Sequence, residues 1–384
     1  MTPPLTTLPE DLIFNEILPR LPVKSLVRLQ SVCKPWQRFL TGPNRRLVSM
    51  HLWRHRNKYV MIKHRRRYAP AVHAITLLSR ERTILVDSLQ IPFESHFRFM
   101  RVAGSCNGLV CVTDSEFSGA PELPIILWNP SLRKFRALPR SIFSSVLNTV
   151  ELHERIGQIV HGFGYHPVLD DHRLVRILYL YGEFEVLRIR SEMYSLRTNS
   201  WKEVGEPFYH RFLDATCVAS DGVLHWIVSS GSSLHFDFVL CFDLRREEFR
   251  RLEMPHISLR SRLGTRLAES AEGRLCLIAC TPHEAADDDK MVHVWDLNYE
   301  GFVWEKKLSV GPFPRIDRLL GCGLNGEIYL EDNRGRLALY DPSSDEIKKV
   351  KEVHADRYTF EVNMYVESLI WSDGALDQLV EDQN

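Results

Sequence analysis

The fold of this chain is decided by a stretch that recurs along it, and residues 220–255 are its clearest copy. The stretch begins with SDGVLHWIV (220–228), where Asp-Gly precedes an alternating apolar run. It ends with VLCFDLRREEFRRLEMP (239–255), where a polar turn separates two further runs. Asp-Gly favours tight hairpins, because their turns need positive φ at both central residues. The stretch therefore predicts a meander of short antiparallel strands.

Similar stretches occur on both sides of this copy. The first half recurs at CNGLVCV (106–112), AEGRLCLIAC (271–280) and LNGEIYLED (324–332). The second half recurs at IILWNPSLRKFRALP (125–139), EMYSLRTNSWKEV (192–204), VHVWDLNYEGFVWEKKL (292–308) and LALYDPSSDEIKKV (337–350). A repeat of roughly 45–55 residues with several strands is typical of propeller blades, and the chain accommodates about six. We expect YVESLIW (365–371) to be the last strand and to complete the first blade.

Residues before this region have helical rather than strand periodicity. In LPEDLIFNEILPRLPVKSLVRLQSVCKPWQRFL (8–40), prolines divide the apolar residues into three short helices. The predicted class is α+β by domain: a three-helix domain, then a large all-β, six-bladed propeller-like domain. The predicted boundaries are 3–48 for the helical domain, 49–56 for a linker, 57–375 for the propeller and 376–384 for a tail. A helical unit this small is marginal alone, so its apolar face predicts a partner.

Charge is balanced overall, with 49 basic and 49 acidic residues, but it is unevenly distributed. Residues 1–70 hold 14 basic and 3 acidic residues, a net of +11, which leaves 35 and 46, a net of −11, elsewhere. A nucleic-acid or nuclear-import patch is one interpretation of the acid-free segment 45–67. We favour a linker and first strand whose arginines meet acids elsewhere, because Trp53, Tyr59, Val60 and Ile62 interleave like a strand. No nucleic-acid partner is expected.

Cysteine use and hydropathy indicate the compartment. Most of the 8 cysteines lie in apolar alternating runs, and no C-x-x-C occurs. Reduced core cysteines predict the cytoplasm or nucleus. Acidic residues interrupt the N-terminal apolar stretch, so no secretory leader is expected, and no run approaches the ~18 apolar residues of a membrane helix.

Recurring polar residues raise the question of catalysis. Asp243, Asp296 and Asp341 each follow a strand, and carboxylates can act as acid and base. We favour turn stabilisation, because catalytic residues are normally unique whereas turn residues repeat. His225 and His235 as metal ligands are likewise less favoured than strand histidines. We expect no catalytic residue, cofactor or metal.

Two other features bear on ligands. The triplets GFG (162–164) and GCG (321–323) are too short for a dinucleotide fingerprint. Loops are where propellers place specificity, and the candidate binding loops are 113–124, 140–160, 205–212, 229–237, 255–265 and 281–290.

The N-terminal stretch resembles an F-box. The matching residues are Leu8-Pro9, Leu12, Ile17-Leu18, Leu21-Pro22, Val32-Cys33-Lys34 and Trp36. The remainder resembles the F-box-associated domain of plant F-box proteins, through GSCNGLVCV (104–112), LWNPSLRKFRALP (127–139), GFGYHP (162–167), MYSLRTNSWKEV (193–204) and SDGVLHWIV (220–228).

The resemblance implies a role in ubiquitination. The F-box would bind the Skp-family adaptor of a cullin-based ubiquitin ligase, and the β domain would capture a substrate protein without catalysing the transfer. A propeller-based enzyme, or a glycan or small-molecule receptor that uses the F-box outside ubiquitination, remain as alternatives. The implied adaptor-binding residues, on or just behind the interface, are Leu8, Pro9, Leu12, Ile13, Ile17, Leu18, Leu21, Pro22, Leu26, Val32, Cys33 and Trp36. Leu29 and Phe39 are expected in the internal core, with Ile13 and Leu26 as further candidates for it.

Overall fold

The fold is taken from a computed structural model. It describes residues 9–41, 45–55, 59–66, 72–79, 85–92, 100–114, 124–143, 155–181, 186–207, 211–212, 216–229, 238–255, 264–270, 273–283, 286–314, 316–323, 325–350, 353, 355–371 and 378–379.

The described chain begins with a bundle of short helices. An α-helical turn, α1 (Glu10–Leu12), continues into a π-helical turn (Ile13–Ile17) and a 3-10 turn (Leu18–Arg20). Three α-helices follow: α2 (Val23–Leu29), α3 (Lys34–Thr41) and α4 (Arg45–His55). The sequence predicted three helices and then a linker at 49–56. The structure corrects this, because most of that segment belongs to the fourth helix.

Six antiparallel sheets follow, and each forms one blade. Blade one contains β1 (Tyr59–Arg65), β2 (His73–Ser79), β3 (Leu85–Gln90) and β25 (Glu361–Tyr365). Blade two contains β4 (Arg101–Cys106), β5 (Leu109–Thr113), β6 (Ile125–Asn129) and β7 (Lys134–Ala137), with β26 (Gln378–Leu379) on its outer edge. Blade three contains β8 (Arg155–His166), β9 (Asp171–Tyr181), β10 (Val186–Ser195) and β11 (Ser200–Glu203).

The other three blades have the same plan. Blade four contains β12 (Arg211–Phe212), β13 (Val218–Ser220), β14 (Val223–Ser229), β15 (Phe238–Asp243) and β16 (Glu248–Glu253). Blade five contains β17 (Thr265–Glu269), β18 (Leu275–His283), β19 (Ala286–Asn298) and β20 (Val303–Pro314). Blade six contains β21 (Ile316–Cys322), β22 (Ile328–Asp332), β23 (Leu337–Asp341) and β24 (Glu346–Lys349).

The innermost strands close a ring. Each of β25, β4, β8, β13, β17 and β21 contacts the next, and β21 contacts β25 again. The predicted fold class, N-terminal helices before an all-β six-bladed propeller, is confirmed. The C-terminal part of the chain does complete blade one, but through Glu361–Tyr365, which pairs with β1. The predicted strand 365–371 shares only Tyr365 with it.

Crowding around the axis explains the glycine triplet at 162–164. A Cβ placed on Gly162 would lie 2.3 Å from Trp226 Cζ2, and one on Gly164 would lie 2.9 Å from Leu224 Cδ2. Such separations are too short for real Cβ contacts, so the inner strand β8 packs against blade four only because these residues lack side chains.

The two ends of the blades differ. At one end, the connections within blades are two to five residues long; we call this end the turn face. Asn107 and Gly108 there both have positive φ (50° and 84°), as do Asp221 and Gly222 (47° and 74°), as the predicted hairpins require. The other end, the loop face, has connections of up to 17 residues, between β7 and β8.

Candidate docking sites

The helical unit, which we define as residues 9–55, carries several exposed apolar side chains. Leu12 is 41% exposed, Ile17 37% and Val32 61%, and Pro9, Pro22 and Cys33 are also exposed. Residues five apart lie on one side of a π turn, whose hydrogen bonds join i to i+5. The π turn between Leu12 and Ile17 therefore brings these two side chains to the same side of the helix.

Other residues of the implied adaptor-binding set lie inside the helical unit. Leu18 and Leu26 are fully buried with Leu40 and Leu47 in one core cluster. That cluster is covered by half-buried neighbours, among them Ile13, Phe14, Leu21, Leu29, Trp36 and Phe39. Burial removes Leu18 and Leu26 from the surface, so neither side chain is placed to contact a partner directly. Leu8 lies outside the described residues.

Polar contacts fix helix α4 to the rest of the helical unit. The rings of His51 and His55 stack with centroids 4.0 Å apart. Their Nε2 atoms lie 3.0 Å from the carbonyl oxygen of Leu21 and 3.2 Å from that of Pro19. With Leu47, these histidines form the buried face of α4 at intervals of four residues. Apolar periodicity does not predict this helix, because two of its three buried positions are histidine, although their i, i+4, i+8 spacing is helical.

A segment after β25 joins the helical unit to the propeller. In this strap, which we define as residues 366–371, a carboxylate oxygen of Glu367 accepts the backbone N–H of Val23 at 3.4 Å. Leu369 packs on the helical core cluster. The amide of Asn129 donates to the carbonyl oxygens of Ser368 and Ile370 at 3.0 and 2.9 Å. The strap therefore contacts both domains, which explains why these residues do not continue β25.

The basic segment 45–67 meets acids elsewhere in the chain. Arg54 pairs with Glu16 at 3.1 Å, Lys63 pairs with Glu361 at 3.2 Å, and Arg65 pairs with Asp356. Burial raises the pKa of the Glu361 carboxyl, but the charges of Lys63 and Arg101 outweigh burial and hold that pKa below its ordinary value. The interpretation favoured from the sequence requires that basic residues of this segment meet acids elsewhere in the chain, and these three pairs do so.

The repeated acids stabilise turns. Asp243 Oδ1 accepts the N–H groups of Arg245 and Arg246 at 2.8 and 3.1 Å, and Asp341 accepts that of Ser343 at 3.0 Å. Hydrogen bonds from Lys348 and Ser343 lower the pKa of Asp341. The third member of the set is corrected. Asp296 lies inside β19, and Asn298 at its end accepts the N–H of Glu300 at 3.0 Å instead.

No metal site is evident at His225. Its Nδ1 lies 3.2 Å from the carbonyl oxygen of Val218, and burial lowers its pKa to about 4. His235 lies outside the described residues. Within the ranges that the structure describes, no three His, Cys, Asp or Glu side chains converge as a metal site would require. None of the helices described there has the length and apolarity to span a membrane.

The candidate binding loops connect strand ends at the loop face, on the side of the propeller away from the strap. Parts of all six lie outside the described residues: 115–123, 144–154, 208–210, 230–237, 256–263 and 284–285. Their role in binding remains a prediction.

Comparisons with known proteins agree with this architecture. Residues 5–47 match the F-box domain, and residues 59–363 match the F-box associated beta propeller domain. The chain is 24% identical to "F-box protein At3g07870" from Arabidopsis thaliana, over 97% of this chain and 94% of that protein. It is 25% identical to "F-box protein CPR1" from the same plant, over 90% and 85%.

Solved structures are more distant. Oligogalacturonate lyase from Vibrio parahaemolyticus aligns over 76% of this chain and 78% of its own length, with 10% identity and a TM-score of 0.36. That likeness supports no conclusion about this chain.

Short helices with exposed apolar side chains, fixed by the strap to a closed six-bladed propeller, define a protein of two domains. The family matches cover most of the chain. It belongs to the F-box proteins that carry an F-box associated beta propeller domain.

Proposed function

We propose that this chain is a substrate-recognition subunit of an SCF-type ubiquitin ligase. The helical unit binds a Skp-family adaptor and through it a cullin, and the propeller holds a target protein for ubiquitination and proteasomal degradation. The chain itself forms no covalent bond with ubiquitin. It raises the effective concentration of the target's lysines near the conjugating enzyme.

One observation carries the proposal: Leu12, Ile17 and Val32 are apolar side chains that are exposed within one short helical unit. Exposed apolar patches mark partner sites, and the F-box match falls on these residues. The strap supports the second half of the proposal, since it fixes the helical unit to the propeller.

The test is co-purification. The full chain is co-expressed with a Skp-family adaptor and a cullin, as wild type and as a Leu12→Ala/Ile17→Ala/Val32→Ala variant. Ile347→Ala is the matched control, because Ile347 is 44% exposed but lies on the outer strand of blade six. The wild type and the control should retain both partners, and the triple variant should lose them. Equal recovery of the partners with all three chains would show that Leu12, Ile17 and Val32 do not contribute to the interface.

Two further parts of the proposal have their own supports. All eight cysteines are free thiols, which supports the reducing cytoplasm or nucleus as the compartment. The turn contacts of Asp243 and Asp341 support a non-catalytic role over a propeller-based enzyme. Proteasome inhibition separates the two roles. If the proteins that bind the chain accumulate with the wild type but not with the triple variant, ubiquitination is favoured over a receptor that acts outside it.

A further inference from the structure

A cleft of 460 Å³ opens on the turn face, at the end of the propeller axis. We call it the axial cleft. Helix α4 forms one wall with Leu52 and Trp53, and the ends of β4, β8, β13, β17 and β25 form the others. Its volume lies within the range of about 300–1,000 Å³ that ligand sites occupy. Deeper along the axis the space falls to 60 Å³, so a ligand entering the cleft stops at its floor.

Two kinds of side chain among those that line the axial cleft bear on the charge of a ligand. Its charged lining residues, Asp221 and Glu269, are both acidic. Its aromatic ones are Trp53, Tyr165 and Tyr365, of which Tyr365 is buried in the core of the propeller. Carboxylates attract a cation directly, and aromatic faces attract it through their quadrupole, with Trp the strongest. This combination selects a positively charged group.

The ion pair of Asp221 is an exposed one. Asp221 lies 3.6 Å from Arg245, and the side chains are 75% and 47% exposed. Such surface pairs contribute little, so a bound cation can replace it. Arg266 lines the deeper channel rather than the cleft, and donates to the Leu319 carbonyl and the Thr216 hydroxyl at 3.0 and 2.7 Å.

The cleft brings together residues of different blades, since both Cys106 and Glu269 line it. Burial, and after it the charge of Glu269, raises the pKa of the Cys106 thiol to about 12. This direction agrees with a negative charge at the cleft.

The rim of the cleft fits a polypeptide better than a small cation. Trp53 is 76% exposed, and so is Val168, which follows the lining residue Pro167. These apolar side chains extend the contact surface beyond the space that one charged group fills. Exposed tryptophan is also the residue type most often found to dominate binding at protein interfaces.

We propose that the axial cleft binds a lysine or arginine side chain from an apolar segment of the substrate protein, with Glu269 and Asp221 facing the charge and Trp53 stacking on it. Calling that protein a substrate rests on the proposed function, but the binding itself does not. The placement puts the bound segment beside the helical unit, on the face opposite the long loops.

The experiment uses the full chain and an oriented peptide library, in which one central position is fixed and the flanking positions are degenerate. Pools with Lys or Arg fixed should be recovered at least about tenfold over the pool with Glu fixed. Trp53→Ala and Glu269→Gln should each reduce that preference at least about fivefold. The matched controls are Tyr358→Ala, on the connection that enters β25, and Glu203→Gln, on the outer strand of blade three; both should leave it unchanged.

Equal recovery of the Lys, Arg and Glu pools by the wild type would overturn the inference, and so would a preference that neither cleft variant alters. Thermal unfolding of each variant separates lost binding from lost folding. Adaptor co-purification tests the proposed function independently of the peptide library. A chain that binds its adaptor but shows no cationic preference refutes the cleft alone, whereas the reverse result refutes the ligase role and supports the cleft.

Discussion

The helical unit and the propeller differ in how completely they bury their apolar residues. The propeller closes its inner strands into a ring and buries large side chains such as Trp226 completely, and its exposed apolar side chains, such as Ile347, are spread over several blades. The described part of the helical unit has a small buried core cluster and exposes Leu12, Ile17 and Val32 within one short segment. The difference indicates that the helical unit offers apolar contact surface at a higher density than the propeller does.

The largest effect expected from this contrast comes from two tryptophans. Trp226 is fully buried, packs against Gly162 and donates from Nε1 to the His161 carbonyl at 3.2 Å. Trp226→Ala should lower the free energy of unfolding by about 4 kcal/mol, because it opens a large cavity. Trp53→Ala, the exposed control, should change it by less than about 0.5 kcal/mol. Denaturant unfolding measures both, and similar losses would contradict the contrast.

The next largest effect of a single residue should come from acid, through histidines buried inside the propeller. Burial lowers the pKa values of His64, His172 and His225 to about 4. Between pH 6.5 and 4 the unfolded chain binds protons that the native state excludes, so stability is fully present above about pH 6.5 and falls as the pH drops. Each histidine should cost about 2 kcal/mol by pH 5.

Urea unfolding at pH 7 and pH 5 checks this expectation. His225→Gln should reduce the loss between the two pH values, since glutamine does not titrate. A pH dependence that is the same in this variant and the wild type would show that His225 is not responsible.

The strap should show a smaller, local effect. Leu369 is the strap residue that packs on the helical core cluster. Leu369→Ala should cost about 1–2 kcal/mol, since the residue is only half buried, and should raise hydrogen exchange in α2 more than in β14. Equal increases in both elements would mean that the strap supports the whole fold rather than the junction.

Much of this architecture could be predicted because its signals are local. The Asn107-Gly108 and Asp221-Gly222 turns each depend on two adjacent residues, and similar turn sequences recur in several blades. Long-range features were harder to predict. The end of β25 is set by contacts of the strap with Asn129 and Val23, more than 200 residues away. The sequence predicted a strand at Trp53 instead of helix α4. The buried face of α4 contains two histidines, and a search for apolar periodicity does not count histidine as a core residue.

Predictability of the candidate sites divides in the same way. The F-box residues were identified together by resemblance, but their sequence pattern does not separate exposed Leu12 from buried Leu18. That separation depends on the π turn and on packing against Leu26 and Leu47. The axial cleft could not be foreseen, because five inner strands and α4 form it together.

The most direct test of the central claim is the dissociation constant of the full chain with a Skp-family adaptor, measured by titration calorimetry. A Leu12→Ala/Ile17→Ala variant should bind at least about 30-fold more weakly, the equivalent of about 2 kcal/mol. Its unfolding free energy should stay within about 0.5 kcal/mol of the wild type, and Ile347→Ala should match the wild type in both. An unchanged dissociation constant in the double variant would contradict the account.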